Sequence, residues 1–171
     1  MSGADFYART RDALARLSMD GDVASIDRML QYLDLLQRWN RTYNLTAIRD
    51  PERMLVQHIF DSLAVVPWLR GAGLDNVQSV HGRIEALEPL GADLIISRAF
   101  ASLADYASLC APHLAESGMM AAMKGYFPEA EQYELEHNTD WRVREIVNLE
   151  VPELDAHRCL IRLGLKDAHD R

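Results

Sequence analysis

Val23, Ile26, Leu30, Leu33 and Leu36 recur at three- and four-residue spacing, with Met29 and Trp39 beside them. One apolar stripe of that period predicts an amphipathic helix. Asp20, Gly21 and Asp22 supply its start signal, and polar residues interrupt the period between Asn40 and Asn44, where the helix is expected to fail. Asp50-Pro51 opens a second helix, a side-chain acceptor followed by proline in the first turn. It is expected to run through Met54, Leu55 and His58 to Val66, with Pro67 marking its end. The N-terminal third therefore reads as helices, and by itself as a helical lobe without chemistry.

From Val77 the pattern changes. Val77 to His81 is a short β-like run, and Asp93 to Ser97 (DLIIS) is a second. Ala101 to Ala115 reads as a helix, Met119 to Lys124 (MMAAMK) as a strand, and Pro128 to His137 as another helix. Trp141 to Val151 and Arg158 to Leu165 are strand-like, joined by a tight segment at Val151-Pro152-Glu153-Leu154. Strands alternating with helices imply an α/β domain with a mostly parallel sheet covered on both faces. The closing pair predicts a hairpin-like finish with one antiparallel strand. Several doubly wound folds share that pattern.

Composition adds boundaries. Apolar residues make up 49% and charged residues 26%, an ordinary globular balance. No apolar run approaches the roughly 20 residues that cross a bilayer. The N-terminal segment mixes acids and bases and lacks the apolar stretch of a secretion signal. Cys110 and Cys159 match no metal spacing and read as small core residues of a reducing compartment. A soluble cytoplasmic protein is expected. The net charge of −8 argues at first sight against nucleic acid. Local distribution matters more: Arg38, Arg41, Arg49 and Arg53 face only Asp50 and Glu52 between Leu35 and Arg53, while acids gather at Glu129 to Glu136.

Four blocks, in order, carry a resemblance. They are WNRTYNLTAIRDP (Trp39 to Pro51) and HIFDSLAVVPWL (His58 to Leu69), then the pair VHGRIE (Val80 to Glu85) and SRAFASL (Ser97 to Leu103). AMKG (Ala122 to Gly125) with the later AHRCLIRL (Ala156 to Leu163) completes the set. Together they resemble the glucose-inhibited division protein B family, the small-subunit rRNA guanine-N7 methyltransferases. The resemblance implies a class I, Rossmann-like methyltransferase using S-adenosyl-L-methionine, with an N-terminal helical extension. Residues 1–57 would form the lobe and residues 58–171 the methyltransferase domain. The implied partner is 16S rRNA in the small ribosomal subunit; neither metal nor membrane is implied, and a monomer is expected.

The resemblance breaks once. After a segment like PWLRG the family carries a glycine-rich strand-loop-helix and a strand ending in an acid, which hold the donor. Here Pro67 to Gly71 runs almost directly into Gly73-Leu74-Asp75-Asn76-Val77, and Gly71-Ala72-Gly73 alone has no strand before it. Central strands are therefore expected to be missing near residues 70–74, as if the numbering joined two pieces of a longer chain. Neighbouring strands lie about 4.8 Å apart, so losing two would leave unpaired edges. A true break would part consecutive Cα atoms between Leu69 and Leu74 by more than the usual value of about 3.8 Å.

The resemblance also assigns roles. Arg98, ending the strand Asp93 to Ser97, would contact the donor's carboxylate, which a bidentate guanidinium suits. A surface pairing with Asp93 or Asp105 is the plain alternative. Ile84 and Glu85 match positions that border the adenine, beside Arg83 on the donor or RNA side; alone they read as a first helical turn. Asn44 would read or orient a base edge in catalysis, and in isolation reads as a turn or cap. His58 and Asp61, three apart on one helix face, would order a wall of the site or simply pair, and lack a third ligand for a metal. Lys124 and Arg158 would meet RNA phosphate or the target nucleotide, Lys124 with a catalytic share, and Arg41 would extend the RNA contact. Arg142 and Arg144 offer a weaker basic surface. Tyr43, Phe100, Tyr126 and Phe127 are stacking candidates, though such residues more often pack.

Guanine N7 has a lone pair and no proton, so its methylation requires no general base and rests on positioning and electrostatics. Two other functions fit the residues: a non-catalytic RNA- or ribosome-binding protein on a methyltransferase-like scaffold, and a methyltransferase for a small molecule. The arginine cluster disfavours the second.

Overall fold

The computed structural model describes residues 3–69 and 82–166. The β-like run Val77 to His81 and the join expected near residues 70–74 lie outside the described residues. Contacts divide the chain into two compact units, Met1–Gly73 with Glu150–Asp155 and Leu74–Leu149 with Ala156–Arg171.

The first unit is helical. Helix α1 spans Gly3–Arg16 and α2 spans Val23–Tyr43. Asp22 caps α2, its carboxylate accepting from Ser25 N at 2.6 Å, and these hydrogen bonds hold the carboxyl below its ordinary range. Ile26 and Leu33 of the predicted stripe are buried. The helix ends at Tyr43, inside the expected interval, with Asn44 in the left-handed region (φ 49°).

The expected single helix from Asp50 to Val66 is instead three segments: α3 (Pro51–Met54), a π-helical turn (Leu55–Phe60) and α4 (Asp61–Leu63). A 3-10 turn, Val66–Leu69, follows and contains Pro67. The π turn is signed by Asp61 N donating to Val56 O, five residues back. Leu55, Val56, Ile59 and Phe60 of this turn are all buried. Arg9 binds Glu52 and also Glu153, the latter at 2.6 Å from Nη2, and so ties the segment Glu150–Asp155 to these helices.

The second unit is a four-stranded sheet with helices. Its strands are β1 (Ala92–Arg98), β2 (Leu114–Lys124), β3 (Trp141–Asn148) and β4 (Cys159–Leu165), in spatial order β1-β2-β4-β3. β1 and β2 are parallel, and β4 runs antiparallel to both β2 and β3. Three strands thus share one direction, and the closing antiparallel strand appears as the sequence pattern implied. Among the described residues β1 is an edge strand.

The helix expected over Ala101 to Ala115 is shorter. Ser102 caps α5 (Leu103–Cys110), and Pro112, which lacks an N–H, confines the continuation to a 3-10 turn, Ala111–His113. β2 then begins at Leu114, five residues before the expected Met119. Its pairing with β1 is irregular between Ala92 and Leu94, which face Leu114 and Met119, and the polar Glu116 and Ser117 fall within that irregularity. Gly118 is required there, because a Cβ would stand 2.7 Å from the Ala92 carbonyl oxygen.

The core gathers Leu103 and Tyr106 of α5, Met120 of β2, Leu135 of α6 (Glu129–Asn138), and Ile161 and Leu163 of β4. The Tyr106 hydroxyl donates to Ile95 O at 2.7 Å and lies 3.1 Å from Ala121 O, and burial pushes its pKa up. Cys110 and Cys159 are buried free thiols whose pKa values burial also raises, as suits the core role read from sequence.

Candidate active site

Three cations meet at one end of the sheet. Arg98 closes β1 opposite Met123, so Lys124 lies one residue further along the parallel neighbour β2. Lys124 in turn faces Cys159, the first residue of the antiparallel β4, which puts Arg158 at the same end. A Cβ at Gly125 would stand 3.8 Å from Arg158 Nη1. This is the carboxyl end of the parallel strands, where open α/β sheets bind ligands. Tyr126 follows, 74% exposed, whereas Phe100 packs edge-on against Tyr106 at 5.3 Å and Phe127 packs on the core.

Lys124 is held in place. Its Nζ donates to Ala101 O at 2.7 Å and to Glu131 Oε2 at 2.9 Å, with the side chain 16% exposed. Glu131 Oε2 also accepts from Leu103 N at 2.8 Å, so this one pair joins the ends of β2, α5 and α6.

The residue after Arg98 is strained. Ala99 has φ 57°, a left-handed conformation that non-glycine residues rarely adopt. It turns the chain away from the strand immediately after Arg98. Ala99→Val, which adds a branched side chain at positive φ, is expected to lose about 1–3 kcal/mol of stability, whereas Ala99→Gly loses little. Urea unfolding midpoints of the two variants check this.

Arg83, Ile84 and Glu85 lie at a 3-10 turn, Ile84–Ala86, with Arg83 Nη2 3.6 Å from Glu85 Oε1. Ile84 packs against the core cluster. Glu145 pairs with Arg162 of the neighbouring strand, and Arg144 donates to Leu165 O, so Arg144 is used within the sheet.

Asn44, Arg41, His58 and Asp61 belong to the first unit. Asn44 forms the left-handed cap of α2, and its Oδ1 accepts from Arg49 Nη2 at 2.9 Å. His58 Nε2 lies 3.2 Å from Thr46 Oγ1, and Asp61 is buried. Sequence reasoning missed Asn40. It is 3% exposed, its Oδ1 accepts from Thr46 N at 2.8 Å and its Nδ2 donates to Ile48 O at 3.4 Å. An amide at a helix end, before a loop that needs partners, was the available signal.

Among the described residues no group of three or more His, Cys, Asp or Glu could hold a metal, and no helix is long and apolar enough to cross a membrane. For a nucleoside-containing methyl donor these residues fit one side: Arg98 for a carboxylate, and Ile84 with Glu85 for a base. A glycine-rich turn between a strand and a helix is not found among them.

A family profile described as GidB: rRNA small subunit methyltransferase G matches residues 25–73 and 69–161, two pieces that meet where the resemblance breaks. Ribosomal RNA small subunit methyltransferase G of Bordetella petrii is 42% identical, covering 94% of this chain and 83% of the relative. The protein of the same name from Bordetella bronchiseptica is 43% identical, over 90% of each chain. That from Neisseria gonorrhoeae is 36% identical, over 91% of this chain and 97% of the relative. The Bordetella petrii alignment spans 212 positions, exceeding the 171 residues of this chain by 41, so at least 41 positions of it face no residue here.

Proposed function

Because this chain belongs to the GidB family, that of rRNA small subunit methyltransferase G, we propose that it methylates N7 of a guanine in 16S rRNA, with S-adenosyl-L-methionine as donor. It is read as a class I, Rossmann-like methyltransferase with an N-terminal helical extension, acting in the cytoplasm as a monomer and without a metal. The observation that carries the reading is the cluster of Arg98, Lys124 and Arg158 at one strand end of the sheet, beside the exposed Tyr126.

The donor supplies an electrophilic methyl group on its sulfonium. Arg98 would hold a carboxylate with two parallel N–H donors. Arg83, Ile84 and Glu85 would border the adenine, Ile84 giving an apolar contact and Glu85 an acceptor. Guanine N7 carries a lone pair and no proton, so no side chain would need to take a proton as the methyl passed from the donor's sulfur to nitrogen. Asn44 would orient the base edge, and Tyr126 offers a face for a splayed base. Arg41, Lys124 and Arg158 would neutralise RNA phosphates, and His58 with Asp61 would stiffen the wall.

The 41 or more unmatched positions favour a second reading, an RNA- or ribosome-binding chain that holds no donor. Calorimetric titration of the purified chain with S-adenosyl-L-methionine separates the two. The methyltransferase reading expects saturable binding that Arg98→Ala weakens about tenfold or more. Absence of binding would leave the second reading.

A further inference from the structure

The motif Trp39 to Pro51 contributes to a pocket that gives the phosphate contact proposed for Arg41 a defined site. It has a volume of about 220 Å³ and is lined by Gln37, Asn40, Arg41, Arg49, Pro51 and Met54. All six residues belong to the first unit. Among the described residues its charged lining is two arginines and no carboxylate. Two guanidiniums on one small pocket repel each other unless an anion lies between them, and their planar donor forks match the oxygens of a phosphate.

We propose that this pocket is a binding subsite for a backbone phosphodiester of the RNA substrate, an inference that rests on the rRNA reading above. Three features carry it. Arg49 is oriented: Asn44 Oδ1 accepts from its Nη2 at 2.9 Å, which leaves further N–H donors of the guanidinium for a ligand. The loop that carries Arg49 is held by a buried side chain, since Asn40 bonds both Thr46 N and Ile48 O. Thr46 Oγ1 also accepts from Ile48 N at 3.2 Å, so little ordering remains to be done when an anion arrives. Finally, Arg41 and Arg49 are exposed while Met54 and Asn40 form a buried floor. An anion seated between the arginines can therefore remain part of a polymer. Asn44 then has a second role, positioning Arg49 through its amide oxygen.

The test uses the full chain and a 16S rRNA fragment without any methyl donor, measuring affinity across a salt series. Each phosphate contact contributes about 0.7–0.9 to the slope of log K against log salt concentration. The Arg41→Ala/Arg49→Ala variant is expected to bind about tenfold or more weakly, with a slope smaller by roughly 0.7–0.9. Gln37→Glu, which keeps both arginines and adds a repelling carboxylate, is expected to weaken binding in the same direction. Arg28→Ala removes one charge from an exposed position of α2 outside the pocket and is expected to change the slope much less. Inorganic phosphate at matched ionic strength is expected to compete with RNA on the parent chain and not on the double variant. An unchanged slope in the double variant, or an equal change in Arg28→Ala, overturns the subsite. Failure of the parent chain to bind RNA overturns the rRNA reading together with it, so the two failures are distinguishable.

Discussion

Lys124→Ala is expected to lower methylation of 16S rRNA on intact small subunits by roughly 10²-fold, the scale set by displacing reacting groups by about 1 Å. Lys124 anchors the site end of the sheet, with Nζ bonded to Ala101 O at 2.7 Å and to Glu131 at 2.9 Å. Removing it frees the turn before α5's N-cap, at Ala101, and leaves Glu131 with Leu103 N. The pair is partly exposed, so the cost to stability is about 1–2 kcal/mol, less than a fully buried pair would lose. Affinity for S-adenosyl-L-methionine is expected to stay within about twofold of the parent. Lys124→Arg should recover much of the turnover, because it keeps a donor for both acceptors. Glu131→Gln should reproduce a milder form of the defect. A Lys124→Ala enzyme with parental turnover on subunits would remove Lys124 from the site.

The largest stability effect is expected at Ile161. It is fully buried on β4, the strand that lies between β2 and β3, and its neighbours in the ladder are Ala122 and Ile146. Ile161→Ala deletes three carbons from a packed interior, and such truncations cost about 2–5 kcal/mol according to how far the site collapses. Because small domains are stable by only about 5–15 kcal/mol, much of the total is at stake. Arg158 enters the same strand, so loosening β4 also loosens the cationic end of the sheet. Urea unfolding should show a lower midpoint with an unchanged slope. A shift below about 1 kcal/mol would mean that the core fills the cavity by moving.

How much of this could be read from sequence depended on whether a feature was periodic or a matter of pairing. The stripe from Val23, the strand DLIIS and the two closing strands were legible because burial imposes a period on residue type. The start of β2 was not, because Glu116 and Ser117 break the alternation and fall in the irregular stretch between the Ala92–Leu114 and Leu94–Met119 pairs. The π turn was invisible for a related reason: four apolar residues at Leu55, Val56, Ile59 and Phe60 also satisfy an ordinary α-helical face. In the candidate site, Arg98, Lys124 and Arg158 were singled out through the resemblance, and the structure puts them at the same end of the sheet. The fixation of Lys124 by Glu131 was not, since the two come from elements joined only by folding. Ala99 carries no signal at all; alanine is ordinary in every element, and only the backbone reveals its left-handed turn. The break expected near residues 70–74 falls outside the described residues.

Incubating the purified chain with radiolabelled S-adenosyl-L-methionine and unmodified small subunits, then digesting the 16S rRNA to nucleosides, measures the proposed reaction itself. Label recovered as 7-methylguanosine is the expected result. RNA that is bound by the chain yet carries no label, under conditions where a full-length relative incorporates it, would contradict the methyltransferase reading and leave a chain that grips rRNA without modifying it.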